Sequence, residues 1–132
     1  MKRLDRVLQR WRIARARPYI PAGARVLDIG SADGALFRYL QGHFREGLGI
    51  DPRVATPGEV AGARLVRGFF PQDMPAAPPF DVITMLAVLE HFPDSQHASL
   101  AEGCARFLRP GGRLILTVPA PLVLSLIHIS EP

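Results

Sequence analysis

The chain has 132 residues, 48% of them hydrophobic and 21% charged, with a formal net charge of +4. This fits one ordinary globular domain at most. No apolar run is long enough to span a membrane, and the charged start holds no signal-peptide core. The single cysteine, Cys104, excludes an intrachain disulfide, so a reducing cytoplasm is the expected setting.

The charge is uneven. Residues 1–20 carry Lys2 and six arginines against Asp5 alone, +6, so the other 112 residues sum to −2. Lys2 is the only lysine among 16 basic residues. That is the mark of GC-rich coding, and it weakens a functional reading of the arginines.

Residues 3–17 read as a helix. Leu4, Val7, Leu8 and Trp11 fall at i, i+3, i+4 and i+7, one apolar stripe. Pro18 and Pro21 end the segment, which makes 1–21 a basic amphipathic leader to the domain. Its stripe is expected to dock on the domain or over a ligand, in preference to an anionic membrane surface or nucleic acid.

Arg25–Ile29 is a first strand that reaches an acid, Asp28. A glycine turn follows, Gly30 to Gly34, and then a helix from Ala35 to about Gln41, capped by Gly42. Such a turn brings bare backbone and a helix N-terminus against a ligand. Gly47–Ile50 is a second strand, ending in Asp51. Pro57, Gly58 and Gly62 leave room for only a short helix in 53–62. Arg64–Phe69 is a third strand, and four prolines make 71–79 a loop. Phe80–Leu86 is a fourth strand. Residues 95–108 form a helix with Leu100, Cys104, Phe107 and Leu108 on one face and Asp94 or Ser95 as N-cap. Pro110-Gly111-Gly112 turns the chain into a fifth strand, Arg113–Val118.

Strands alternating with helices predict an α/β fold with a parallel sheet. Ligands of such sheets bind at the carboxyl ends of the strands, where Asp28, Asp51 and Glu90 converge. His91, beside Glu90, is a candidate general base; the simpler reading has it bonding backbone and shaping the pocket. His43 and His97 read as surface residues and show no metal spacing with Cys104. Cys104 reads as core.

Five segments together carry a resemblance. They are Val26–Gly34, Gly49-Ile50-Asp51, Phe80-Asp81-Val82-Ile83, Leu89-Glu90-His91-Phe92 and Leu108–Gly112. In order and spacing they resemble the class I S-adenosylmethionine-dependent methyltransferases, small-molecule branch, over residues 24–119. The resemblance implies a Rossmann-like sheet of five parallel strands in the order 3-2-1-4-5, with the final strand pair of the family missing. It implies an S-adenosylmethionine-binding domain over 22–123. In that family the glycine turn, here Gly30, Ser31 and Gly34, contacts the methionine portion of the cofactor. Asp28 would orient its amino group, and Asp51 would hold the ribose hydroxyls, for which a carboxylate is a good acceptor. Leu86 would also contact the cofactor.

Three departures stand out. Ala32 occupies a position where the family often has glycine. The acid that receives the adenine amino group is not in its usual place, and Asp73 is the substitute. The last two strands are absent, which leaves the fifth strand an exposed edge. Leu124–Pro132 resembles, at all nine residues, the in-frame translation of a transposase adapter used in preparing sequencing libraries. These residues are set aside from fold reasoning, with the expectation that the natural protein continues differently after about Val123.

The implied reaction is direct methyl transfer to a small-molecule acceptor. The sulfonium is already a good leaving group, so positioning and exclusion of water suffice, without a metal or a nucleophilic triad. Met85–Leu89 stands where amide and base-nitrogen methylases carry Asn/Asp-Pro-Pro-Tyr/Phe, which argues against nucleic acid and protein glutamine as acceptors. Two alternatives remain. Gly30, Ala32 and Ala35 read as a degraded G-x-G-x-x-G with Asp51 about 20 residues on, the mark of a nicotinamide-dependent oxidoreductase. A non-catalytic cofactor-binding module is the other.

Overall fold

The computed structural model describes residues 3–118 in full and the backbone of residues 123–128. Among these, seven strands form one sheet: β1 Ala24–Ile29, β2 Phe44–Ile50, β3 Gly58–Val60, β4 Ala63–Val66, β5 Phe80–Leu86, β6 Leu108–Val118 and β7 Val123–His128. Three α-helices join them: α1 Arg3–Ala16, α2 Ala35–Tyr39 and α3 His97–Phe107. The sheet order is β3-β4-β2-β1-β5-β6-β7.

The inner five strands, β4-β2-β1-β5-β6, are all parallel. They are the expected five strands in the expected order. The two edges differ from expectation. Residues 58–60 form an antiparallel strand against β4 in place of a short helix. β7 pairs antiparallel with β6 from Val118↔Val123 to Arg113↔His128, so β6 is not an open edge. Five residues of the stretch set aside as adapter-like thus contribute backbone to the sheet, and 129–132 lie outside the described residues.

Alternation along β1 divides the core. Val26 points to one face of the sheet, where Ile13, Ala16, Ile20, Leu36, Phe37 and Leu40 cover it. Leu27 and Ile29 point to the other, under Leu100, Cys104 and Phe107 of α3. Both faces are apolar because a parallel sheet is covered on both sides. Cys104 is core, as expected, and burial pushes its thiol up to about 12.

Two helices depart from the sequence reading. α2 has only five residues. α1 has the expected span but buries a different face. Ile13 and Ala16 are buried, whereas Leu4, Val7 and Trp11 of the expected docking stripe are exposed. The stripe followed the commoner, larger side chains. The contact uses Ile13 and Ala16, near the C-terminal end of the helix where the chain enters the domain.

Opposite the carboxyl edge, Asp81 ties three strands together. It accepts the backbone N–H of Arg25 at 2.8 Å and Nε of Arg109 at 2.5 Å. Burial raises its pKa, but the bonds from Arg25 and Arg109 outweigh this and lower it below the ordinary carboxylate value. Arg109 stands in the Pro110-Gly111-Gly112 bend, which survives as an irregularity in the β5–β6 ladder: Phe80 pairs with Leu108, then Val82 with Arg113.

The turn after β1 needs three residues at positive φ, Gly30 at 80°, Ala32 at 47° and Gly34 at 88°. Glycine reaches this region freely, whereas a Cβ is strained there. At Gly30 a Cβ would also lie 2.5 Å from the Val88 side chain. Ala32 therefore holds a strained backbone. Ala32→Gly is expected to stabilise the free protein by about 0.5–1 kcal/mol. A thermal melt rising by a few degrees checks this, and an unchanged or lowered melt contradicts it.

Candidate functional site

β1, β2, β4 and β5 end side by side, so the loops after them share one edge. The β1 turn is fixed there by Gly30 N–H, which donates to the Ile50 carbonyl at 2.8 Å. Two cavities open at this edge. The larger, about 610 Å³, is bordered by Asp51, Phe69, Phe70 and Asp73. The smaller, about 370 Å³, is bordered by Asp28, Ser31, Leu86 and the inner side of α1 through Leu8, Gln9, Arg12 and Ile13. Gly30, Arg53, Val88 and His91 border both.

Asp51 closes β2 and is 2% exposed. Its carboxylate accepts the backbone N–H of Ala32 at 2.8 Å and of Arg53 at 2.8 Å. The Arg53 guanidinium adds contacts at 3.2 Å to each oxygen. Burial alone would raise its pKa. The bonds from Arg53 and Ala32 and the charge of Arg53 outweigh burial and hold it below the ordinary value. Asp51 is therefore an ionised acceptor at neutral pH. The Arg53 side chain is itself 72% exposed, so the hydroxyls of a ligand can replace its guanidinium as donors to Asp51.

Asp28 differs. The parallel register sets it beside Thr84 of β5, and the Thr84 hydroxyl donates to Oδ1 at 2.7 Å. Burial, with a further push from the charge of Asp51, raises its pKa to about 7 against the opposing Thr84 bond. In the same cavity, Nε of Arg12 is buried with no hydrogen-bond partner among the described residues. One cavity thus holds a buried carboxyl and an unsatisfied guanidinium nitrogen, a set that suits an amino acid group with its own ammonium and carboxylate.

The other expected residues fall as follows. Ser31 and Leu86 border the smaller cavity. Asp73 borders the larger and accepts the backbone N–H of Phe69 at 2.8 Å, which folds the loop after β4. Gly34 borders neither cavity; it is buried against Val60 and Leu65. His91 is exposed and lies 3.9 Å from Glu90. His43 and His97 are part-buried and bond the carbonyls of Ile20 and Phe92. No cluster of metal-ligating side chains occurs among the described residues. Thr84, Arg12 and Arg53 were not singled out by sequence. Only Thr84 carries a readable signal, since it shares the inward phase of Val82 on a strand that must pair with β1.

A family profile described as "Methyltransferase domain" matches residues 2–128. The chain is 33% identical over 123 residues to a ubiquinone biosynthesis O-methyltransferase of Xanthomonas axonopodis pv. citri, covering 81% of this chain and 49% of that protein. It thus spans about half the length of this curated relative. The YcgJ protein of Bacillus subtilis superposes with a TM-score of 0.65 at 25% identity, over 83% of this chain and 50% of that one. Mycolic acid cyclopropane synthase CmaA1, solved with S-adenosylhomocysteine, gives a TM-score of 0.65 at 20% identity, over 82% and 41%. With a match over nearly its whole length, this chain belongs to the methyltransferase domain family.

Proposed function

We propose that the protein binds S-adenosylmethionine and directs its methyl group to a small-molecule acceptor. The observation that carries this reading is the pair of cavities meeting at Gly30, with Asp51 in one and Asp28 and Arg12 in the other. An ionised, buried carboxylate with an exchangeable partner suits the two ribose hydroxyls. Asp28 and Arg12 suit the ammonium and carboxylate of the methionine portion. Phe69, Phe70 and Asp73 offer aromatic surface and an acceptor for the adenine. When bound, the cofactor supplies an electrophilic methyl group on a sulfonium.

The protein's own work is placement. Asp51 and Asp28 hold two parts of an extended ligand on either side of the Gly30 turn, which borders both cavities. His91 borders both cavities and is the group we assign to accept the proton of an acceptor hydroxyl, with Glu90 3.9 Å from its ring. The Xanthomonas relative is an O-methyltransferase, which favours oxygen as the acceptor atom. No membrane-spanning helix occurs among the described residues.

Calorimetric titration is expected to show S-adenosylhomocysteine binding and no NAD binding. Asp51→Ala is expected to weaken that binding at least about 30-fold through loss of two charged hydrogen bonds, with the circular dichroism spectrum unchanged. Binding of NAD in its place would reverse the assignment.

Asp28 makes binding depend on pH. Its carboxyl is half-neutral near 7 in the free protein, and an ammonium ligand requires the ionised form. Affinity is expected to fall up to about tenfold per unit as pH drops below 7. The same raised pKa means that free-protein stability falls as pH rises from the unfolded value near 4 toward 7. Asp28→Asn is therefore expected to raise the melting temperature at pH 8, to leave it nearly unchanged at pH 4, and to flatten the pH profile of binding. A pH-independent affinity in the native protein would refute the role given to Asp28.

For His91, the expected result with a panel of phenolic acceptors is a loss of about 10²-fold or more in kcat on His91→Ala. S-adenosylhomocysteine affinity stays within a few fold. Equal losses in both place His91 in cofactor binding only.

A further inference from the structure

We infer that the outer face of α1 is a docking surface for an anionic lipid bilayer. The helix has two faces with different fates. Its inner side buries Ile13 and Ala16 and lines the smaller cavity. Its outer side presents Leu4, Val7 and Trp11, which are 67%, 58% and 40% exposed. At 100° per residue these three form one ridge along the helix. Exposed Arg3 and Arg10 flank the ridge on one side and exposed Arg15 on the other. Arg15 also lies over the Trp11 ring, 5.1 Å from its centroid.

The chemistry of this face selects its occupant. An apolar ridge with tryptophan, edged by arginines, is the composition of a helix that lies in the plane of a bilayer surface. The ridge enters the acyl boundary while the guanidinium groups remain at the headgroups. Nucleic acid would use the arginines but leave Leu4 and Val7 without apolar cover. A second copy of the chain would bring two segments of +6 charge together, which opposes association. Charge complementarity therefore favours lipid, with anionic headgroups. The docked helix would set the smaller cavity about one helix diameter, roughly 10 Å, from the headgroups. The inference does not depend on the acceptor or the cofactor.

Trp11 is the only tryptophan of the chain, so its fluorescence reports on this face alone. The test mixes the 132-residue protein with vesicles of phosphatidylcholine, with and without phosphatidylglycerol. The expected result is a blue shift of emission and co-sedimentation with the phosphatidylglycerol vesicles only, weakened by salt. Arg10→Gln combined with Arg15→Gln is expected to lower partitioning roughly 30-fold, at a few-fold per arginine. Leu4→Ser combined with Val7→Ser is expected to lower it at least about tenfold, and Val7→Leu to raise it. The circular dichroism spectrum serves as the check on folding. Absence of a shift, or equal partitioning into neutral vesicles, overturns the proposal. So does tight duplex DNA binding without vesicle binding, or a dimer in which Trp11 is already blue-shifted before lipid is added.

Discussion

A carboxylate removed almost wholly from water must be met by donors, or the fold cannot hold it ionised. Asp51 is such a group, and the geometry of the site follows from how it is met. Its donors come from two places: Ala32 in the turn after β1, and Arg53 in the loop after β2. Satisfying one charge therefore fixes the separation of two strand ends. The Gly30 to Ile50 hydrogen bond adds a second tie between the same loops. The left-handed backbone of Ala32 has its explanation here. Its N–H points at Asp51, and the cost of that φ is offset by a hydrogen bond to a buried charge.

The parallel core was readable because it rests on local pattern. Short apolar runs ending in acids gave the strands, and the proline- and glycine-rich joints gave the breaks. Both properties are carried by near neighbours in sequence. The edges were not readable in the same way. Gly58–Val60 has no strand composition and becomes one because β4 offers an unpaired edge at hand. The face of α1 was also hidden. Ile13 and Ala16 win the contact with the sheet over Leu4 and Trp11 because the helix enters at its C-terminal end, held by the Arg17–Tyr19 turn and the buried Ile20. In the site, the acids could be named from strand ends alone. Arg12 could not, since only the packing of α1 brings it to the cavity that Asp28 borders. Nor could the position of Gly34 outside both cavities, where it packs on Val60 and Leu65 of the β3–β4 pair.

Asp28 and Asp51 show how one edge can hold two acids in different states. Both are buried, and burial raises the pKa of each. Asp51 has four donor contacts from three groups, one of them the Arg53 cation. Asp28 has the Thr84 hydroxyl and, nearby, the negative charge of Asp51 itself. The first is lowered and the second raised. Such a difference is what a site needs when one end takes neutral hydroxyls and the other takes a cation. The cation removes the repulsion and desolvation that Asp28 otherwise carries, so part of the fold's strain is relieved only on binding.

The same helix that completes the small cavity leaves its apolar ridge outward, and the two facts constrain each other. Ile13 and Ala16 bind α1 to the sheet, which sets the rotation of the whole helix. That rotation places Arg12 on the smaller cavity and, at the spacing of 3.6 residues per turn, sends Leu4, Val7 and Trp11 away from the domain. A rotation that buried the ridge would withdraw Arg12 from the cavity. The exposure of the ridge is thus bound to the construction of the site by geometry. An acceptor that partitions into lipid would meet both faces of one helix on its way from the bilayer to Gly30.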